Sequence, residues 1–233
     1  MFENFGQQLY DNIILLDRYL IYLDGLKNTL LLTFGAAIIG TIIGTLVAIC
    51  KIYAKQKKVL KPLDILCDIY LTVIRGTPAM VQVLIFGYII FKPNMSGNGM
   101  LPVAIFALGI NSGAYVAEIV RSGIQAVDIG QSEAGRSLGL TNNKTMQLII
   151  LPQAVKNILP AIANEAIVLL KETAIVSIIA VADLTYSGIL VRSRTFSPVP
   201  LLLIAAIYLI VVLIMTMGLR ALERRLSRSD KRN

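Results

Sequence analysis

The chain has 233 residues, of which 56% are hydrophobic and 15% charged, with a formal net charge of +8. Soluble domains carry roughly 45–50% apolar and about 25% charged residues. Several apolar runs here reach the ~20 residues that cross a ~30 Å hydrocarbon core, which makes this an integral membrane protein and leaves no length for a sizeable soluble domain. Histidine is absent, which excludes Ser-His and Cys-His nucleophile pairs and His-based metal sites. Cys50 and Cys67 lack metal-ligand or CxxC spacing and read as reduced apolar residues.

Residues 1–24 carry Glu3, Asp11, Asp17, Asp24 and Arg18, too polar for a signal-peptide core. Phe2, Phe5, Leu9, Ile13, Leu16 and Leu20 recur at helical spacing and predict an amphipathic helix on the outer membrane surface. A first span follows over about 26–50, then a basic loop with Lys51, Lys55, Lys57, Lys58 and Lys61. The second span covers about 65–91 and ends in a turn over 92–99, marked by Pro93, Gly97 and Gly99. The third covers about 100–120, and a polar connection runs on to about 155. The fourth starts near Lys156 and ends near Ala182. A loop with Pro198 and Pro200 leads to the fifth, about 201–219, and to a tail with Arg220, Arg224, Arg225, Arg228, Lys231 and Arg232.

Placing the 51–61 loop inside puts the 121–156 connection and the tail on the same side. That side then holds 15 of the 22 bases, against five on the other: Arg18, Lys27, Lys92, Arg192 and Arg194. By the positive-inside rule the N-terminus lies outside and the C-terminus in the cytoplasm, after five crossings. The basic excess is thereby explained by topology rather than by nucleic acid. Three parts result: an external N-terminal helix (1–24), a transmembrane domain (25–220) and a basic cytoplasmic tail (221–233).

Ala36, Gly40, Gly44 and Ala48 in the first span, and Gly109, Gly113 and Ala117 in the third, place small residues at every fourth position. Such stripes admit close helix approach, either within one subunit or between two. No internal repeat is visible, against the inverted-repeat plan of many secondary transporters.

Charged groups at mid-bilayer cost about 2.5–3.5 kcal/mol on insertion scales and face protein or water. Helical rise places Arg75, Asn111 and Glu165 at similar depths, and Gly76 and Pro78 weaken the second span beside them. Arg75, Thr77, Asn111 and Glu165 are therefore the candidate translocation pathway, with Glu165 meeting an ammonium group and a basic group or free N–H meeting a carboxylate. The competing reading is an internal Arg75–Glu165 pair. Lys171 and Glu172 form a local pair or line the outer mouth; Asp183, Arg192 and Arg194 are candidate docking charges or simply solvated.

In the polar connection, Asp128 or Ser132 can cap a short helix with Glu133 in its first turn, and Gly139 can stop it. Thr141 can cap a second helix through Ile150, and Pro152 opens the next segment. Glu133-Ala134-Gly135, then three residues, Gly139, nine residues, Ile149, one residue and Leu151-Pro152 resemble the EAA loop of ATP-binding-cassette importer permeases. Gly135 stands where that family has a second Ala. Arg75-Gly76-Thr77-Pro78, the run from Ala114 to Ile124, and Leu170-Lys171-Glu172-Thr173 are similar to the polar-amino-acid subfamily. The resemblance covers roughly residues 20–220.

The resemblance implies an all-α, type I importer (MetI-like) fold with five transmembrane helices and a cytoplasmic coupling loop over about 121–155, in the bacterial cytoplasmic membrane. It implies a second permease subunit, two ATPase subunits docked through Glu133, Ala134, Gly135 and Gly139, and an extracytoplasmic substrate-binding protein. The cargo would be a polar amino acid. ATP and Mg would be bound by the ATPase, because this chain has no GxxxxGK[ST] loop and no catalytic or metal site of its own. An ion-coupled secondary transporter or channel, and a membrane scaffold, are the readings from other classes.

Overall fold

The computed structural model describes residues 5–54, 58–91 and 97–230, all helical or in helix connections, with no strand among them. Phe2, Glu3, Lys55, Lys57, Lys92, Pro93, Lys231 and Arg232 lie outside the described residues. Among the described residues, three stretches are long and apolar enough to cross a membrane singly: Leu15–Ala54, Leu101–Gln125 and Val199–Leu226. Two bent pairs bring the number to five when each counts as one span.

The N-terminal helix is shorter than its periodicity suggests. Helix α1 (Phe5–Ile13) ends at a kink where Leu16 and Asp17 take positive φ. The Arg18 guanidinium donates to the Asp11 carbonyl across that kink. Residues 18–24 belong instead to α2 (Arg18–Ala54), whose 37 residues span about 55 Å. That exceeds a ~30 Å core, so α2 tilts or projects beyond the hydrocarbon.

The two small-residue stripes meet each other inside this one chain. α2 packs along α5 (Leu101–Gln125), and Ala36, Gly40, Gly44 and Ala48 are buried. A Cβ on Gly44 would sit 2.6 Å from the Gly113 carbonyl oxygen, and one on Gly109 2.7 Å from Ile39. The spacing of small residues therefore sets the approach of α2 to α5. Leu32, Ala36, Ala104, Leu108, Leu169 and Val176 continue this contact into the main apolar core.

The second span is broken outright. α3 (Lys61–Gly76) stops at Thr77, Pro78 is extended, and α4 (Ala79–Ile85, continued as a π-turn to Ile90) leaves at 108°. Proline disfavours the helical conformation for the residue before it, and Thr77 accordingly adopts φ −121°, ψ 146°.

α6 (Ile129–Ser137) and α7 (Asn142–Thr145) form the connection after α5. α8 (Leu151–Glu172) begins with Pro152 in its first turn and runs into a 3-10 stretch, Thr173–Ile179. α9 (Leu184–Thr195) follows at a 50° bend. The unwound link is satisfied by α2: Asn28 donates to the Ala182 carbonyl at 2.8 Å, and the Leu184 N–H donates to Thr29 Oγ1 at 3.0 Å. Asp183 is fully buried there rather than presented for docking. It caps α9 by accepting from the Thr185 and Tyr186 N–H groups. α10 (Val199–Asp230) closes the fold, with Gly188 of α9 against Ile204.

Candidate functional site: an interior polar layer and a helical turn on the loop

The broken second span frees backbone carbonyls that lipid cannot satisfy. Gln82, one turn into α4, satisfies them. Its Nε2 donates to the Ile74 carbonyl at 2.8 Å, the Thr77 carbonyl at 3.1 Å and Thr77 Oγ1 at 2.8 Å. Thr77 Oγ1 in turn donates to the Val73 carbonyl at 2.8 Å. The Gln82 Oε1 accepts from Asn111 Nδ2 at 2.9 Å. Gln82 is 6% and Asn111 3% exposed. Thr77 and Asn111 are thus brought together, but through a residue the sequence did not single out. The signal was present: Gln82 is the one strongly polar residue in the run Ala-Met-Val-Gln-Val-Leu-Ile just after a helix-breaking proline.

Glu165 lies beside this layer on α8. Its Oε1 accepts from Ser112 Oγ at 3.0 Å, next in sequence to Asn111. No Arg75–Glu165 pair forms. Arg75 turns instead to Glu118, at 3.9 Å, further along α5. Arg75 is therefore separated from the other three candidates. Lys171 and Glu172 make no ion pair with each other among the described residues.

On the loop, Asp128 caps α6 by accepting from the Gly130 N–H at 2.7 Å. The helix starts at Ile129, so Glu133 sits in its middle rather than its first turn. Glu133 does not cap the helix; its side chain is exposed and has no partner among the described residues. Ala134 is exposed too, whereas Gly135 is buried. A Cβ on Gly135 would lie 2.6 Å from Thr145 Cγ2 and 3.0 Å from Ile149 Cδ1. Gly135 therefore holds α6 against the second half of the loop, and the absent methyl serves packing.

Gly139 ends the turn at φ +80°, a left-handed conformation glycine adopts without strain. The Gly139 N–H donates to the Arg136 carbonyl and the Leu140 N–H to the Gly135 carbonyl, in the manner of a Schellman cap. Thr141 accepts from the Lys144 N–H as its position predicts. Gln153 donates to Gln131 and to the Ile149 carbonyl, tying α6 to the start of α8. Ile129 and Leu138, at the two ends of α6, are 75% and 79% exposed. The turn is thus one buried face on a rigid base, with aliphatic and acidic groups facing outward.

Residues 40–228 match the family model described as the binding-protein-dependent transport system inner membrane component. The chain belongs to this permease family. It is similar to the arginine transport system permease protein ArtQ of Bacillus subtilis (strain 168), 40% identical over 213 residues, covering 89% of this chain and 93% of that one. It is 35% identical over 215 residues to a putative glutamine transport system permease protein GlnP of Rickettsia bellii (strain RML369-C), covering 90% and 94%. Among solved structures, an amino acid ABC transporter crystallised with histidines superposes with a TM-score of 0.84 at 42% identity, covering 97% of this permease and all of that chain. The fold of this permease is that of a type I importer, and both α6 and the interior polar layer lie inside the matched residues.

Proposed function

We propose that this permease moves polar amino acids into the cell by alternating access, driven by ATPase subunits that dock on α6. The observation that carries the reading is the α6 turn. It is packed through Gly135 onto a rigid base and presents Ile129, Glu133 and Leu138 to water without partners among the described residues. A rigid element held in an ATPase cleft passes the approach of two ATPases to the spans it joins, here α5 and α8, as rigid-body motion. Ala134 and Glu133 form the contact surface, and Gly135 and Gly139 set its shape.

The same reading calls for a second permease subunit, two ATPases that bind ATP and Mg, and an extracytoplasmic binding protein. The distribution of Lys and Arg supports an external N-terminus and a cytoplasmic loop and tail in the bacterial cytoplasmic membrane. The arginine and glutamine named for the relatives support polar amino acids as cargo. Within the interior layer, Glu165 is the substrate-facing group. Ser112 engages one of its oxygens, which leaves the other for an ammonium. Thr77, whose hydroxyl proton goes to the Val73 carbonyl, keeps only an acceptor lone pair for the pathway at the helix break, Asn111 holds the break through Gln82, and Arg75 serves a different part of the pathway.

The test is uptake of labelled amino acids by proteoliposomes that hold the permease, its ATPase and ATP, started by adding the binding protein. Uptake that requires ATP, with at least tenfold lower rate or altered selectivity in Glu165→Gln, is the expected result. Uptake and selectivity unchanged by Glu165→Gln would remove the pocket role. Uptake under an ion gradient without the ATPase would replace the importer with a secondary transporter.

A further inference from the structure

A second polar region lies apart from the interior layer. Lys51, Asp64, Asp68, Arg75, Glu118 and Arg121 line one cavity of about 770 Å³ among α2, α3 and α5. Their ion pairs divide them into two triads. Lys51 Nζ is 2.9 Å from Asp64 and 2.6 Å from Asp68, giving two carboxylates to one ammonium. Glu118 is shared by Arg121 and Arg75, giving two guanidinium groups to one carboxylate. One triad therefore carries a net charge of −1 and the other +1.

The surplus charge in each triad can be named. Arg121 engages both Glu118 oxygens, through Nε at 3.0 Å and through Nη2, and also donates to Gln125 at 2.9 Å. Arg75 is left with a single 3.9 Å approach to a carboxylate that is already engaged, and 45% of its side chain is exposed. A guanidinium has five donors in a fork that suits a carboxylate, and those of Arg75 are almost unused among the described residues. In the other triad Asp68 is the more open acid, 60% exposed against 29% for Asp64.

Asp64, Asp68 and Arg75 stand on one stripe of α3 at i, i+4 and i+11. Asp68 and Arg75 are two turns apart, about 10.5 Å along the axis. The α-ammonium and α-carboxylate of one amino acid share a carbon and cannot reach across that interval together. An extended side chain ending in a cation can. Glu118 also lies six residues beyond Ser112 on α5, about 9 Å further toward the helix C-terminus, which is the cytoplasmic end in the proposed topology.

We propose that this cavity is an exit subsite for a basic amino acid, with its carboxylate on Arg75 and its side-chain cation on Asp68 and Asp64. The proposal rests on the reading of the chain as an amino acid permease and adds a class of cargo and a second station on its path. Each triad without its surplus member remains a neutral ion pair, so single neutralisations at Asp68 and Arg75 leave Lys51–Asp64 and Arg121–Glu118 in place.

The experiment is equilibrium binding to the purified full chain in lipid nanodiscs, carried out in a Glu165→Gln background so that the interior layer does not report. The probes are L-arginine, agmatine, which lacks the carboxylate, and L-citrulline, which lacks the cation. L-Arginine is expected to bind best. Asp68→Asn should remove about tenfold of the preference for arginine over citrulline, and Arg75→Gln a similar share of the preference for arginine over agmatine. Arg75→Lys should restore part of the latter. Equal weakening of all three probes, or preferences unchanged by both substitutions, overturns the subsite. Wild-type proteoliposomes supplied with ATPase, ATP and the binding protein separate the two levels. If they take up no amino acid, the permease reading fails; if they take up neutral amino acids and no basic ones, only the exit subsite fails.

Discussion

The helix break in the second span and the α6 turn are both short polar interruptions between apolar helices, and they use their polar groups in opposite ways. At the break, Gln82, Thr77 and Asn111 commit their hydrogen bonds to backbone carbonyls and to one another. At α6, the backbone is closed by Asp128, Gly139 and Thr141, and the outward side chains of Glu133, Ile129 and Leu138 stay available. Inside the bilayer an unmet carbonyl has no water to turn to, so polarity there is consumed in holding shape. In water it is free for a partner. The first region is built to stay as it is, and the second leaves its outward side chains open.

Substitutions sharpen that contrast. The largest stability loss is expected at the break: Gln82→Leu leaves the Ile74 and Thr77 carbonyls and the Asn111 amide without partners. At about 1–3 kcal/mol for a buried group left unsatisfied, the buried Asn111 amide sets most of the loss and the half-buried Ile74 carbonyl adds to it. Thermal unfolding in detergent should show it as a clear fall in Tm. A Tm equal to wild type would mean that the break is not held by this amide.

At Gly135, an alanine methyl must displace Thr145 and Ile149, and overpacking of this kind costs about 1–3 kcal/mol. Gly135→Ala should lower ATPase stimulation by the complex and raise proteolytic cleavage in the loop. Wild-type values in both assays would show that α6 packs more loosely than described. Smaller still is Gly139→Ala, where a left-handed φ costs a residue with a Cβ roughly 1–2 kcal/mol. Amide hydrogen exchange should quicken at Leu140, whose N–H closes the cap, while exchange in α8 stays unchanged.

Much of this architecture was readable from residue patterns. The small residues of α2 and α5 recur at fixed spacing because two backbones approach there, and that spacing survives in the sequence. The α6 turn was readable because caps and breakers occupy local positions: Thr141, Gly139 and Pro152 act within a few residues of themselves. The start of α6 was less so, since Asp128 and Ser132 both qualify as caps and only the fold selects Asp128.

Other features depend on neighbours distant in sequence. Gln82 meets Asn111 across 29 positions, and Lys51 meets Asp64 and Asp68 across a loop. Helical rise placed Arg75 and Glu165 at one depth, but depth does not fix azimuth, and Arg75 turns toward Glu118 instead. Asp183 looked like a surface charge because it falls between two helices, yet α2 covers that link and buries it. The N-terminal periodicity ran past its true end because α2 begins within the same apolar pattern.

The central claim is that α6 receives the motor while the helix break in the second span holds shape, and co-purification of the partner ATPase with Leu138→Asp tests it most directly. Leu138 is 79% exposed, and only its backbone serves the helix end. The account predicts a permease with wild-type Tm that no longer retains the ATPase or supports ATP-driven uptake. Full ATPase retention by Leu138→Asp, with uptake at the wild-type rate, would contradict it.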